Sequence, residues 1–116
     1  MGINGKNSNG YVYLLLSVDE FSNERYKIGI TKNPVTQRLK QLQTGNSAKI
    51  SILKTYESNN YKMVEKWLHG RLKTKRTLAG NEWFNLSDED VLNFMDECKK
   101  GDDITSYMKR ENPFFN

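Results

Sequence analysis

One stretch constrains the fold of this chain more than any other: GYVYLLLSVDEFSNERYKIGIT, residues 10–31. From Tyr11 to Val18 every residue but Ser17 is aromatic, β-branched or leucine, and a second such run goes from Arg25 to Thr31 with a polar loop between them. Two strand-forming runs separated by a short polar loop predict a β-hairpin. Tyr13 and Lys27 then sit on neighbouring strands. A phenol and an ammonium so placed can address one phosphate if both point outward.

The segments that follow alternate between helical and strand patterns. Asn33 and Pro34 open a helix as cap and first residue, and Gly45 closes it. Val35, Leu39 and Leu42 form its apolar stripe, and Arg38 lies about 40° beyond Leu42 at the stripe's edge. ISILKTY, from Ile50 to Tyr56, predicts a third strand with Ile50, Ile52 and Lys54 on one face and Ser51, Leu53 and Thr55 on the other. Ser58, Asn59 and Asn60 make a turn and offer caps to a helix from about Asn60 to Lys73. That helix buries Tyr61, Val64, Trp67, Leu68 and Leu72, with Lys62, Lys66 and Lys73 on the opposite face. Glu65 and His69, four apart, stack on one flank beside the buried arc.

A basic loop then leads to Trp83 and Phe84, adjacent aromatics of the kind that plug a core. Glu82 beside them is either a surface carboxylate or a second acidic ligand. Ser87 with Asp90 resembles a capping box that opens a last helix, with Val91, Phe94, Met95 and Cys98 facing inward. The last residues, ITSYMKRENPFFN, place Ile104, Tyr107 and Met108 at helical spacing. They either dock on the body or serve a protein partner or a second copy of the chain.

Tyr-x-Tyr at Tyr11 to Tyr13, Lys-Ile-Gly at Lys27 to Gly29, Arg38 on the next helix and Glu65 on a later one occur in that order. Together they resemble the GIY-YIG nuclease superfamily, in the branch of phages and mobile elements where KIG replaces YIG and a Glu…His…Glu-Trp-Phe pattern closes the domain. The resemblance covers Gly10 to about Leu86. It implies an α+β fold, a small three-stranded, largely antiparallel sheet flanked by helices in the order β-β-α-β-α-α. It also implies an endonuclease that hydrolyses DNA with Mg²⁺ or Mn²⁺. In that reading Tyr13 is the base or its relay, Arg38 clamps phosphate oxygens and Glu65 is the metal ligand. Lys27 stands where most of the superfamily has tyrosine, so it binds phosphate, tunes Tyr13 or helps to move a proton. Some members carry a histidine one turn after the helix arginine. Here Leu42 occupies that place, and His69 or Tyr26 would compensate.

The same residues, taken singly, read as ordinary strand aromatics, a glycine at a close packing point and a solvated carboxylate. Two other functions therefore stand beside catalysis: a DNA-binding module without turnover, and a protein-interaction factor using the aromatic tail.

Composition narrows the classes further. With 116 residues the chain is expected to be one domain, from 10 to 99, preceded by a flexible Gly/Asn-rich arm (1–9) and followed by a tail (100–116). No apolar run is long enough to cross a bilayer. Cys98 is the only cysteine, which rules out an internal disulfide and suggests a reducing, cytoplasmic setting. The net charge of +4 is unevenly spread. Lys32, Lys40, Arg71, Lys73, Lys75 and Arg76 lie in the body and would hold a nucleic-acid backbone, whereas acidic residues gather after Asp88.

Overall fold

The computed structural model describes residues 9–77 and 82–112. The expected N-terminal arm lies outside them apart from Asn9, as do the tail residues Phe114 and Phe115. The hairpin forms as its sequence predicts: β1 (Gly10–Val18) pairs antiparallel with β2 (Glu24–Thr31), Tyr13 opposite Gly29 and Leu15 opposite Lys27. Asp19 builds the connecting turn. Its carboxylate accepts from the amides of Phe21 and Asn23, at 2.8 and 2.9 Å, and these bonds hold it below the usual carboxylate range.

Helix α1 (Val35–Gln43) is followed by β3 (Lys49–Ser58), which lies along the other side of β1. Pro34 precedes α1, and no side chain caps it, so the cap expected from Asn33 is not made. Then come α2 (Tyr61–Arg71), a 3-10 turn (Lys73–Lys75), β4 (Trp83–Phe84), α3 (Asp88–Leu92) and α4 (Phe94–Glu111). The architecture is α+β, but among the described residues the sheet has four strands, ordered β3-β1-β2-β4 and wholly antiparallel, against the three expected. The added strand is two residues long, too short for any periodicity to reveal.

Because β1 is central, both of its faces are covered, and this is why YVYLLL reads as a continuous apolar run instead of an alternation. Val12 and Leu14 join Tyr26, Ile28, Val64, Leu68, Phe84, Phe94 and Cys98 in the core beneath α2 and α4. Tyr13 and Leu15 join Val35 and Ile50 in a second core beneath α1, with Leu39, Leu42 and Ile52 packed against it. Each such side chain removed from water contributes about 1.5–3 kcal/mol.

The imperfect alternation of β3 has a local cause. Leu14 pairs with Lys54 but Leu15 pairs with Ile52, so Leu53 is an extra residue and the register shifts there. Lys54 therefore leaves the face of Ile50 and Ile52, where the sequence pattern had put it.

The Ser87–Asp90 capping box is present in both directions, with Ser87 Oγ accepting from the Asp90 amide at 3.1 Å. The helix it starts ends at Leu92, and α4 begins afresh at Phe94. Phe94 and Cys98 are buried as expected, but Met95 is exposed. Residues 100–111 continue α4 without a break. Gly101 is no helix stop: a Cβ there would lie 2.7 Å from Trp67 Cδ1, so the glycine lets α4 approach α2. Asp102 fastens this half of α4 to the sheet, accepting from Tyr56, Ser58 and Asn60 at 2.7, 3.0 and 2.7 Å. Burial and that carboxylate push the Tyr56 phenol far above its ordinary range. Asn60 thus spends its side chain on α4 and gives α2 no side-chain cap.

Candidate active site

The candidate residues collect around the outer edge of β2, where β4 ends. Odd-numbered residues of β2 share the face of Leu15 and Tyr13, and even-numbered ones share the face of Leu14. Ile28 turns its backbone outward. Its amide donates to the Glu82 carbonyl at 3.1 Å, and its carbonyl lies 3.1 Å from His69 Nε2. A site built here draws on both faces of the sheet around a single strand edge.

On the α1 face, Tyr13 is fully buried with its ring laid across Gly29. A Cβ at position 29 would fall 2.4 Å from the Tyr13 hydroxyl oxygen and 2.6 Å from Cζ, so Tyr13 and Gly29 are one spatial unit. Arg38, from the edge of the α1 stripe, covers the phenol. Its Nε donates to the Tyr13 hydroxyl oxygen at 3.4 Å and its Nη1 to Gln41 at 3.2 Å. The bond to Tyr13 holds the guanidinium still more firmly protonated than usual.

Lys27 lies two residues from Gly29 on the same face. Its side chain is 10% exposed, and its ammonium donates to Glu82 at 2.6 Å while lying 5.3 Å from the centroid of the Trp83 ring. Glu82 is the functional candidate that sequence reasoning left unassigned. Its signal was its place in Glu-Trp-Phe, and only β4 carries it across to Lys27.

Glu65 and His69 reach the same edge from α2. Glu65 is half-buried, and its carboxyl is raised above the usual range, first by desolvation, then by repulsion from Glu82, with Lys27 opposing. It lies 3.8 Å from His69 Nε2. Burial pushes His69 below its ordinary value. A carbonyl oxygen only accepts, so the contact with Ile28 assigns the proton to Nε2. His69 is thus a neutral imidazole that holds the strand edge and packs edge-on against Phe84, ring centroids 5.1 Å apart.

The structure therefore brings Tyr13, Arg38, Lys27, Glu65 and His69 to one edge, linked through Glu82. Tyr26 is not among them. It pairs with Phe84 on the opposite face, is buried in the core beneath α2, and has its phenol pushed up by that burial and by nearby Glu24 and Asp88. Adjacent strand residues face opposite ways, so Tyr26 lies on the α2 side of the sheet, where its side chain is buried in the core.

The basic residues divide likewise. Lys32, Lys40, Lys73 and Arg76 are exposed. Arg71, also exposed, bonds Glu97 at 3.3 Å, and partly exposed Lys75 bonds Asp90 at 2.5 Å, around a cavity of about 270 Å³ floored by Leu68, Leu72 and Phe94. Each of these two cations faces a carboxylate, so its charge is partly balanced within the protein. Among the described residues no helix is long and apolar enough to cross a membrane.

Neither a curated protein nor a solved structure matches the chain. A family model does match it, the T5orf172 domain, over residues 10–99, which span the hairpin, both halves of the site and the first turns of α4. The chain belongs to this phage-associated T5orf172 domain family.

Proposed function

We propose that this domain is a metal-dependent endonuclease that hydrolyses DNA phosphodiester bonds through a GIY-YIG-like site. The observation that carries the reading is the Tyr13–Gly29–Arg38 unit. It is a buried phenol seated on a glycine, with a guanidinium 3.4 Å from its oxygen, so a hydroxyl and a fixed cation stand side by side at one point of the strand edge. Phosphodiester hydrolysis needs a proton acceptor for the attacking water, cations for the charge growing on phosphorus, and help for the leaving oxygen.

In the free protein Arg38 covers Tyr13. A phosphate arriving at the site draws the planar guanidinium onto its non-bridging oxygens, a geometry that suits arginine better than lysine. That movement uncovers the phenolic oxygen for the water. Lys27 adds a second cation on the same face, and the incoming phosphate competes with Glu82 for it. His69 keeps Ile28 in place and with it the strand that carries Lys27 and Gly29.

A divalent cation fits the Glu65 side of the edge. The Glu65 carboxyl is raised first by burial and then by Glu82, so two carboxylates approach each other on this side of the edge. No cluster of three or more ligating side chains exists among the described residues. A hard ion needs none, because Mg²⁺ and Mn²⁺ accept one carboxylate together with water and substrate oxygens. Glu65 would hold it, and the ion supplies Lewis-acid stabilisation of the leaving oxygen when bound.

The test incubates supercoiled and linear DNA with the protein in Mg²⁺, Mn²⁺ or EDTA, beside Tyr13→Phe, Arg38→Ala and Glu65→Ala. We expect metal-dependent nicking that falls by about 10²–10⁴ in Tyr13→Phe, the span of a lost general base. Equal activity in all four proteins would overturn the assignment. DNA binding without cleavage, unchanged in Glu65→Ala, would establish a binding module in its place.

A further inference from the structure

Trp83 stands beside Glu82 on β4, opposite Lys27, and therefore on the same sheet face as Lys27, Gly29 and Tyr13. The helix on that face packs against β3, at the far side of the sheet. The Trp83 ring is thus only half-buried, whereas its neighbour Phe84, on the other face, is completely buried. Two cations of β2 flank the indole, with Arg25 Cζ and Lys27 Nζ each 5.3 Å from the ring centroid. Arg25 and Lys27 are two residues apart on one strand, about one phosphate spacing of an extended nucleic-acid strand.

An indole serving only the core would be covered like Phe84, and one serving only to hold a cation would need one partner. The geometry points to a nucleobase-stacking subsite: Trp83 receives an unstacked base of the nucleotide next to the phosphate at Tyr13 and Arg38, while Arg25 and Lys27 take the phosphates on either side. An aromatic ring between cations is the combination that holds single-stranded nucleic acid, because every base has a π face and every linkage a charge. A base inside a duplex offers no face to such a ring. The ligand class is therefore a strand with single-stranded character. The location beside the scissile phosphate rests on the endonuclease reading, but base stacking itself does not.

The two are separated by measuring binding in EDTA, where no cleavage occurs. Oligothymidylate, an abasic deoxyribose-phosphate strand of equal length and a duplex are titrated against the full chain, followed by anisotropy and by tryptophan fluorescence. We expect oligothymidylate to bind about tenfold more tightly than the abasic strand, within the range for stacking one base on an aromatic side chain. It should also quench emission where the abasic strand does not. Trp83→Ala should lower oligothymidylate affinity to the abasic level and leave the abasic affinity unchanged. Trp83→Phe, which keeps a ring, should retain most of the preference while losing the quench, and it serves if the alanine variant fails to fold. Equal affinity for the two strands in the unsubstituted protein, a quench that survives in Trp83→Phe and so comes from Trp67, or a duplex bound as tightly as the single strand would each overturn the subsite. Absence of nicking in Mg²⁺ with these results intact would remove the nuclease and leave the base-binding site.

Discussion

Gly29→Ala isolates the contact on which the site is built. The added Cβ would stand 2.4 Å from the Tyr13 hydroxyl oxygen, 2.6 Å from Cζ and 2.9 Å from Cε1, where packed heavy atoms normally keep about 3.5–4.0 Å. Gly29 has no positive φ, so alanine strains nothing in the backbone. The whole penalty therefore lies between the new methyl and the ring. Tyr13 is fully buried and cannot swing into water without lifting Arg38 and α1. Overpacking of this kind costs about 1–3 kcal/mol, offset by the roughly 0.5–1 kcal/mol that alanine gains over glycine inside a strand. A net loss of about 1–2 kcal/mol corresponds to a melting temperature lower by about 4 °C or more. The assay is urea denaturation of Gly29→Ala, Tyr13→Leu and the double variant. Leucine lacks all three clashing atoms, so in the Tyr13→Leu background Gly29→Ala should keep only the gain of about 0.5–1 kcal/mol, giving a coupling energy equal to the overpacking cost of about 1–3 kcal/mol. Equal penalties in the two backgrounds would refute the proposed contact.

Other parts of the site make separate predictions. Glu82→Gln leaves the buried Lys27 ammonium without its carboxylate and should destabilise the fold by about 1–3 kcal/mol. Adding Lys27→Met should recover much of that loss, because no buried charge is then left unpaired. His69 is the chain's only histidine, so one imidazole proton resonance reports it, and its titration should centre below 6.5. A depressed value means that the unfolded chain binds the proton first. Stability should therefore fall as pH drops through 6.5, and His69→Gln should abolish that slope. Glu65 carries the opposite sign: its raised carboxyl stabilises the fold below its ordinary range, and that contribution is lost as pH rises through the native value. The slope of DNA affinity against salt should decrease in Lys32→Ala and Lys40→Ala but hardly in Arg71→Ala or Lys75→Ala, whose charges face Glu97 and Asp90.

Which parts of this arrangement the sequence disclosed follows from how local their causes are. The hairpin, the α1 stripe and the Ser87–Asp90 cap depend on residues within one or two turns of each other, and all three were legible. Lys75 with Asp90 and Arg71 with Glu97 join positions 15 and 26 residues apart, so no window of sequence shows that two of the six basic candidates are already paired. Gly101 carries no local signal for its role, because its cause is Trp67 on another element. Tyr26 was different. Its exclusion from the face of Lys27 follows from the period of a strand and could have been read from the sequence alone.

That same period explains why the edge of β2 can hold a two-sided site at all. Gly29 and Lys27 project to the face of Tyr13, while Ile28 between them gives its side chain to the other core and its backbone to Glu82 and His69. By its antiparallel register, a β4 extended past Phe84 would pair Arg25 and Glu24 and leave the edge at Ile28 and Gly29 open. With β4 only two residues long, the carboxylate of Glu65 from one face and the cations of the other lie close enough to interact around a single strand. Lengthening β4 by replacing Asn85 and Leu86 with valines should leave the fold intact. Cleavage should be unaffected, because the growth is at the Arg25 end of β2 and leaves Gly29 unpaired by β4.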